Sequence, residues 1–122
     1  MTVSNVGGLA FVVAVLCLFL VGTLQPIALS VSRRQGFPGM STVAEIRIPR
    51  HAENREACVT LSAGGELEDQ SCWELTAHSS PVFRRTWKGL AGGQHVAQAR
   101  LLRGRETWFS NVVELHVADE EP

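Results

Sequence analysis

Residues 57–77 read ACVTLSAGGELEDQSCWELTA, and this stretch decides the class of fold. Apolar and polar side chains alternate over residues 57–63 and again over residues 72–77. A period of two is the pattern of a strand with one buried face and one solvent-facing face. The pair Gly64-Gly65 marks a turn after the first of these segments. The stretch therefore predicts antiparallel β-structure.

The same pattern recurs on both sides of this stretch. Four further segments alternate and are bounded by turn residues: 42–49, 82–88, 94–102 and 111–117. Arg103-Gly104-Arg105 is typical of a hairpin turn, and no stretch after Leu29 combines a helical period with capping residues. We therefore predict an all-β domain over residues 42–118, an antiparallel β-sandwich of six to seven short strands.

Two segments of this region resemble immunoglobulin-like and fibronectin type III-like domains. Residues 87–97, WKGLAGGQHVA, are similar to the approach to strand F, and residues 110–115, SNVVEL, to the last strand. His95 stands where that fold has its corner tyrosine, so we expect its ring to make the corner hydrogen bond. Ala97 stands where the second cysteine would be, so the resemblance implies no disulfide between strands B and F. It implies a fold and not a function.

Cys58 and Cys72 are the informative cysteines. Alternation places both on the polar faces of neighbouring strands, where an oxidising compartment would join them. Cys58 and Trp73 also resemble the strand B cysteine and strand C tryptophan of an immunoglobulin domain, which lie in different sheets. Either the two strands pair as a hairpin, or the faces shift by one residue at a bulge. We expect a disulfide; two free thiols or a metal site are the alternatives, and no C-x-x-C spacing favours the metal.

Residues 6–24, VGGLAFVVAVLCLFLVGTL, contain no charged side chain. As a helix they would span roughly 28 Å, close to the ~30 Å hydrocarbon core of a bilayer. We predict an N-terminal transmembrane helix within an anchor of residues 1–30, followed by a linker at 31–41. The alternative is a signal peptide cleaved near Ser30, after the small-x-small sequence of residues 28–30. The run exceeds the usual ~7–15 apolar residues of a signal peptide, which favours the anchor.

The orientation of this segment rests on two opposing signals. Arg33-Arg34 follow the apolar run and favour a cytoplasmic domain by the positive-inside rule, whereas the paired cysteines favour an oxidising compartment. We predict a single-pass membrane protein whose soluble domain lies outside the cytoplasm, periplasmic or extracellular. Secretion after cleavage is the alternative.

The charged residues indicate no chemistry. Residues 31–122 hold all eleven basic and twelve acidic side chains, without a basic stripe, and residues 119–122 form an acidic tail. This balance argues against nucleic acid as a partner. The carboxylates of residues 66–69 lack the register of a calcium loop and predict a solvated loop. The four histidines are scattered, with no H-x-H or H-E-x-x-H spacing, and the serines at 79, 80 and 110 lack the context of a nucleophile elbow. We expect no enzyme activity, metal, cofactor or small-molecule substrate.

The aromatic residues predict a core and a candidate surface. Trp73 and Trp87 fall on apolar faces and should be buried. Trp108 and Phe109 are adjacent, so a strand points them to opposite faces and one cannot join the main core.

With Arg84 and Arg100 on polar faces, Trp108 and Phe109 form a candidate partner surface, since Trp and Arg are enriched at binding hot spots. The other interpretation is that the neighbouring hairpin half-covers both rings. The predicted function is a membrane-tethered, non-enzymatic interaction module, or an accessory subunit of a membrane or envelope complex, with a protein partner. The alternative is a secreted module that binds a ligand or carbohydrate after cleavage near Ser30.

Overall fold

Nine β-strands and no helix make up residues 25–119, the part of the chain that this computed structural model describes. The strands are β1 Ala28–Val31, β2 Gln35–Gly36, β3 Met40–Arg47, β4 Asn54–Ala63, β5 Glu66–Glu74, β6 Val82–Leu90, β7 Gly93–Arg103, β8 Glu106–Phe109 and β9 Val113–Val117. No segment of that range is a helix able to span a bilayer. The predicted anchor helix at 6–24 lies outside the described residues, as does most of the acidic tail.

The strands form two sheets. The smaller has the order β1-β3-β6, and the larger has the order β2-β9-β7-β4-β5, with β8 also paired to β7. All paired strands are antiparallel except β2 and β9, which are parallel. Without the short β2 and β8, the chain follows the strand sequence A, B, C, C′, E, F, G of an immunoglobulin-type sandwich. The predicted all-β sandwich is confirmed at this level.

The core lies between the two sheets and consists of the apolar side chains that the period of two selects. In β4, for example, Val59 and Leu61 are buried, while Thr60 between them is partly exposed. Trp87 is buried as predicted. Trp73 is only half-buried, because β5 is the edge strand of its sheet and has a neighbouring strand on one side only. Its ring packs on Phe83, with the ring centroids 5.2 Å apart.

The sandwich begins before residue 42. β1 pairs with β3, and β2 pairs with β9, so residues assigned from the sequence to the anchor and the linker contribute two strands. Leu29 and Met40 are buried in the core. Strands of two to four residues contain too few alternations to be read as a period, which is why the sequence pattern misses them.

The strand predicted at 72–77 is also displaced. β5 starts at Glu66, and residues 75–77 lie in the loop that follows it. Gly64 and Gly65 both have positive φ, +58° and +81°, as the central residues of a two-residue type I′ hairpin require. The solvated loop predicted at 66–69 is therefore wrong, because this tight turn continues directly into a strand.

Candidate functional site

Cys58 and Cys72 form a disulfide across the β4–β5 hairpin. The two residues are direct partners in the ladder, with their Cα atoms 4.1 Å apart. The hairpin interpretation and the disulfide are confirmed. The likeness of Cys58 and Trp73 to strands B and C is wrong, because β4 and β5 are neighbours in one sheet and occupy the C and C′ positions.

The disulfide lies on the outer face of the larger sheet. Cys58 is buried although it points away from the core, because it is flanked by Cys72 on β5 and by Arg100 on β7. Nη2 of Arg100 lies 3.7 Å from Sγ of Cys58, and Oε1 of Glu56 lies 3.4 Å from the same sulfur. Within residues 25–119 these two cysteines and Glu56 are the one close group of three metal-ligand side chains. The disulfide removes the thiolates that a metal ion would need.

β8 carries the two adjacent aromatic residues singled out by the sequence. Phe109 is opposite Arg100 on the outer face, and Trp108 is opposite Leu101 on the face that looks toward the core. The two rings thus point to opposite faces, yet both are accessible: Trp108 is 38% exposed and Phe109 54%. Val112, just beyond the strand, is 54% exposed.

Arg84 lies apart from the other three residues of the predicted partner surface. It is on β6 in the smaller sheet, where its Nη2 donates to Oε1 of Glu45 at 2.9 Å. Alternation identifies Arg84 as solvent-facing but contains no information about which sheet holds it. We define the β8 surface as Arg100, Trp108, Phe109 and Val112.

The outer edge of β8 has unpaired backbone groups. β8 and β7 are joined by a two-residue turn in which Gly104 has φ +57°. In such a hairpin Arg103 and Glu106 form the closing hydrogen-bonded pair, so Glu106 and Trp108 direct their backbone groups toward β7. The N–H and C=O groups of Thr107 and Phe109 point outward, where no strand of residues 25–119 pairs with them.

A second cluster joins the two sheets on the opposite side of the sandwich. We call it the polar latch: Glu68, Asp69, Arg85, Trp87 and His95. Asp69 on β5 accepts two hydrogen bonds of 3.0 Å from Arg85 and one of 2.8 Å from Nε1 of Trp87, both on β6. The hydrogen bond from Arg85 lowers the pKa of Asp69 below its usual value, and the one from Trp87 adds to this.

His95 completes the latch at the start of β7. Its ring is buried, and Nε2–H donates to the carbonyl of Ala91 at 2.8 Å. The predicted corner hydrogen bond is therefore present, made to the backbone four residues upstream. Nδ1 lies 2.7 Å from Oε2 of Glu68. A cleft of about 340 Å³ lies beside these residues, and Glu68, Asp69, Arg85 and Trp87 of the latch line it together with Thr86 and Lys88. The hydrogen bonds from Arg85 and Trp87 to Asp69 connect β6 of the smaller sheet to β5 of the larger one.

The remaining histidines lie in separate elements. His51 is in the β3–β4 loop, His78 is in the β5–β6 loop, and His116 is in β9, 3.9 Å from Glu114. In the described part of the chain no histidine belongs to a group of three metal-ligand side chains within 4.8 Å of one another.

Solved structures share this fold at low sequence identity. The human F-spondin reeler domain aligns with a TM-score of 0.57 and 12% identity, covering 75% of this chain and 89% of its own. A CARDB domain from Pyrococcus furiosus, solved with di-metal ions, aligns with a TM-score of 0.52 and 10% identity over 80% of this chain and 97% of its own. No protein-family model and no curated protein matches the chain. These likenesses show the β-sandwich fold alone.

Proposed function

We propose that this protein is a membrane-tethered, non-enzymatic β-sandwich that binds a partner protein through the β8 surface. The observation that carries the proposal is an unpaired strand edge with exposed aromatic side chains on both of its faces. The occupant would be an extended segment of the partner, added as a strand beside β8. Strand addition obtains its affinity from backbone hydrogen bonds and its specificity from neighbouring side-chain pockets.

The side chains around β8 suit such a partner. Phe109, Arg100 and Cys58 line a pocket of about 190 Å³ on the outer face, which extends from β8 across β7 and β4 to Gln70 on β5. A side chain of the added strand could enter it. Trp and Arg are the residue types most enriched where binding energy concentrates.

The other edge of the larger sheet supports the choice of β8. β5 carries four acidic residues, Glu66, Glu68, Asp69 and Glu74. Charged side chains along an edge strand oppose pairing with another chain. β8 has one acidic residue, Glu106, which accepts a hydrogen bond from Nε1 of Trp108 at 3.1 Å. Of these two edges, β8 is therefore the one suited to binding.

β1 supports the anchored form over cleavage near Ser30. Cleavage after Ser30 would remove Ile27 and Leu29, both buried in the core, and three of the four residues that pair with β3. The intact mass of the purified protein tests this point. We expect a mass that includes residues 1–30, and a mass beginning at Val31 would exclude the anchor.

The binding proposal is tested by photocrosslinking in native membranes. A benzophenone amino acid replaces Thr107, whose backbone points outward from β8, or Thr86, an exposed threonine on β6 that serves as the matched control. We expect a discrete protein adduct from position 107 and none from position 86. Equal adducts at both positions, or none at 107, would contradict the proposal.

A proline substitution distinguishes strand addition from side-chain contact. Thr107→Pro removes an outward N–H and no hydrogen bond to β7. Edge strands tolerate proline at such positions, so the fold should be retained while strand addition is blocked. With the photoprobe placed at Phe109, we expect the adduct to disappear in Thr107→Pro and to persist in Thr107→Ala. An adduct that persists in both variants would show that the partner does not add as a strand.

A further inference from the structure

The chain enters the sandwich almost without a linker. Ile27 is 2% exposed within the core, and Ala28 is already paired with Arg47. Only Gln25 and Pro26 separate the apolar run, which ends at Leu24, from the folded domain. Two extended residues reach about 7 Å. If the run is embedded in a bilayer, this end of the sandwich must lie against the membrane surface.

Three loops interlock at this end and form one continuous surface. The backbone N–H of Ile48 donates to the carbonyl of Pro81 at 2.8 Å, which ties the β3–β4 loop to the β5–β6 loop. The N–H of Gly104, in the β7–β8 turn, donates to the carbonyl of Glu53 at 2.8 Å. The backbones of the three loops are therefore held in fixed relation to one another.

This surface carries an excess of positive charge. Its segments are 47–54, 75–82 and 103–106, and they contain four arginines against two glutamates: Arg47, Arg50, Arg103 and Arg105, with Glu53 and Glu106. Arg47 is paired with Glu45 at 3.1 Å, which leaves three arginines against the two glutamates. We call it the arginine end. The turns at the opposite end, 37–39, 63–66, 88–93 and 118–119, contain Lys88 against Glu66 and Asp119. Between these two sets of turns, the excess of cations lies at the end where the N-terminal segment enters. Arg33 and Arg34, in the β1–β2 connection, belong to neither set.

Arg33 and Arg34, which follow the apolar run in sequence, do not belong to the arginine end. They come after β1, which runs away from that end as its pairing moves from Arg47 to Ala44. The carbonyl of Arg34 accepts a hydrogen bond from the N–H of His116, in the second half of β9. The arginines nearest the tether are therefore distant from it in sequence and are brought there by the fold.

We infer that the arginine end binds the phosphates of anionic lipid headgroups and fixes the orientation of the sandwich on the membrane. This inference rests on the proposed membrane tether. Arginine suits the task because its planar guanidinium donates in pairs to phosphate oxygens. Nε of Arg50 is held by the carbonyl of Ser79 at 3.1 Å, and Arg105 is exposed in the β7–β8 turn. A two-residue tether would hold the start of β1 close to the bilayer, and attraction between exposed charges acts over a Debye length of about 8 Å.

The test uses the full chain reconstituted into vesicles of POPC, with or without about 30% POPG as the anionic lipid. Cys17, the third cysteine of the chain, is first replaced by alanine, and reductant is left out so that the disulfide stays intact. A nitroxide is then attached at Ala52→Cys, in the arginine end, or at Ala91→Cys, at the opposite end. Both positions are exposed. The readout is collision with nickel chelated to lipid headgroups. We expect POPG to raise the collision rate several-fold at position 52 and to leave position 91 unchanged.

Charge reversal supplies the matched control. The double variant Arg50→Glu with Arg105→Glu should abolish the POPG-dependent rise at position 52. Arg33→Glu with Arg34→Glu changes the charge equally but away from the arginine end, and should leave the rise intact. Equal loss in both double variants would indicate attraction by net charge alone and would overturn the inference.

Vesicle flotation separates the two ways in which the inference can fail. A chain that does not float with either type of vesicle lacks the tether, and the proposed function fails together with the inference. A chain that floats with both types but shows no POPG-dependent change at position 52 keeps the tether and overturns the inference alone.

Discussion

The two open sides of the sandwich are closed by different chemistry. On one side the carboxylate of Asp69 on β5 joins Arg85 and Trp87 on β6. On the other side a neutral amide serves: Oδ1 of Asn111 accepts from the N–H of Leu29 at 3.0 Å, and its Nδ2 donates to the carbonyl of the same residue at 2.9 Å. The side chain of Asn111 thus pairs with β1 as a strand residue would.

Because of this difference, the contacts on one side of the sandwich should depend on pH and those on the other side should not. Protonation removes the negative charge of the carboxylate and thereby weakens its charge-assisted hydrogen bonds with Arg85, whereas an amide does not titrate. The latch side should therefore weaken in acid while the Asn111 side does not. Both link the same two sheets, so substitutions on each side can be compared within one domain.

Reduction of the disulfide should lower the stability most. It removes the covalent link between β4 and β5, the strand that carries the latch carboxylates. Cys58 and Cys72 are 14 residues apart, and closing such a loop stabilises by about 3 kcal/mol in the chain-entropy model. We expect dithiothreitol to lower the Tm by on the order of 10–20 °C. Equal melting curves with and without reductant would contradict the prediction.

Amide hydrogen exchange shows which strands lose stability when the disulfide is reduced. Under reductant the amides of β5 should exchange faster, while those of β9, on the Asn111 side, should change little. A Cys58→Ser, Cys72→Ser variant controls for other actions of the reductant and should melt at one temperature in both conditions.

Asp69→Asn should have the next largest effect. The substitution weakens the paired hydrogen bonds from Arg85 and gives Nε1–H of Trp87 a poorer acceptor than the carboxylate. We therefore expect the unfolding free energy, measured in urea, to fall by about 2 kcal/mol. Glu66→Gln, the same change of charge at an exposed position of the same strand, should have almost no effect. Equal losses in the two variants would assign the effect to charge and not to the latch.

The pH dependence sharpens this result. Because the pKa of Asp69 is lowered in the folded protein, its contribution is fully present above the unfolded pKa of about 4 and is lost as the pH falls through the folded pKa. Unfolding free energies measured from pH 7 to pH 2 should show a steeper acid loss in the wild-type protein than in Asp69→Asn. Parallel curves would remove Asp69 as the source.

Asn111→Ala should cost about 1–2 kcal/mol, because it leaves the N–H and C=O of Leu29 without their partner. The difference from the wild-type protein should be the same at pH 7 and at pH 3, unlike that of Asp69→Asn. Gln94→Ala, which removes an exposed amide, is the matched control and should be neutral. A loss that shrinks in acid would contradict the proposed contrast between the two sides.

Glu45→Gln should have the smallest effect. Glu45 pairs with Arg47 and Arg84 at 3.1 and 2.9 Å, and the hydrogen bond from Arg47 lowers its pKa, but these groups face the solvent. Exposed ion pairs contribute little to stability. We expect no resolvable change in Tm. A decrease comparable to that of Asp69→Asn would show that connecting the two sheets is not what gives Asp69 its importance.

Local alternation predicts much of this fold and little of the latch. The period of two predicts β4, β6, β7 and β9, because each of these strands has one face in the core. It also places Cys58 and Cys72 on polar faces, but it leaves open whether their strands pair as a hairpin. The residues at 66–69 are nearly all acidic and show no such period, so nothing local marks them as strand. Their partners Arg85 and His95 lie 16 and 27 residues away, and the packing of the sheets brings them together.

The β8 surface also depends on the order of strands, which local alternation does not predict. The adjacency of Trp108 and Phe109 is enough to predict that they point to opposite faces. It does not indicate that β8 has a free edge, because that depends on the order of strands in the sheet. Arg84 has the same alternation as Arg100, and the topology places the two in different sheets.

The burial of Ile27 has a mechanical consequence. With two residues between the apolar run and β1, force applied to an N-terminal tether would reach β1 without slack and act along its length. The four β1–β3 residue pairs and the two hydrogen bonds between Leu29 and Asn111 would then bear the force together in shear. Such an arrangement resists extension better than one in which the pairs break one at a time. β1 would then be the element that transmits force from the membrane to the partner protein bound at β8.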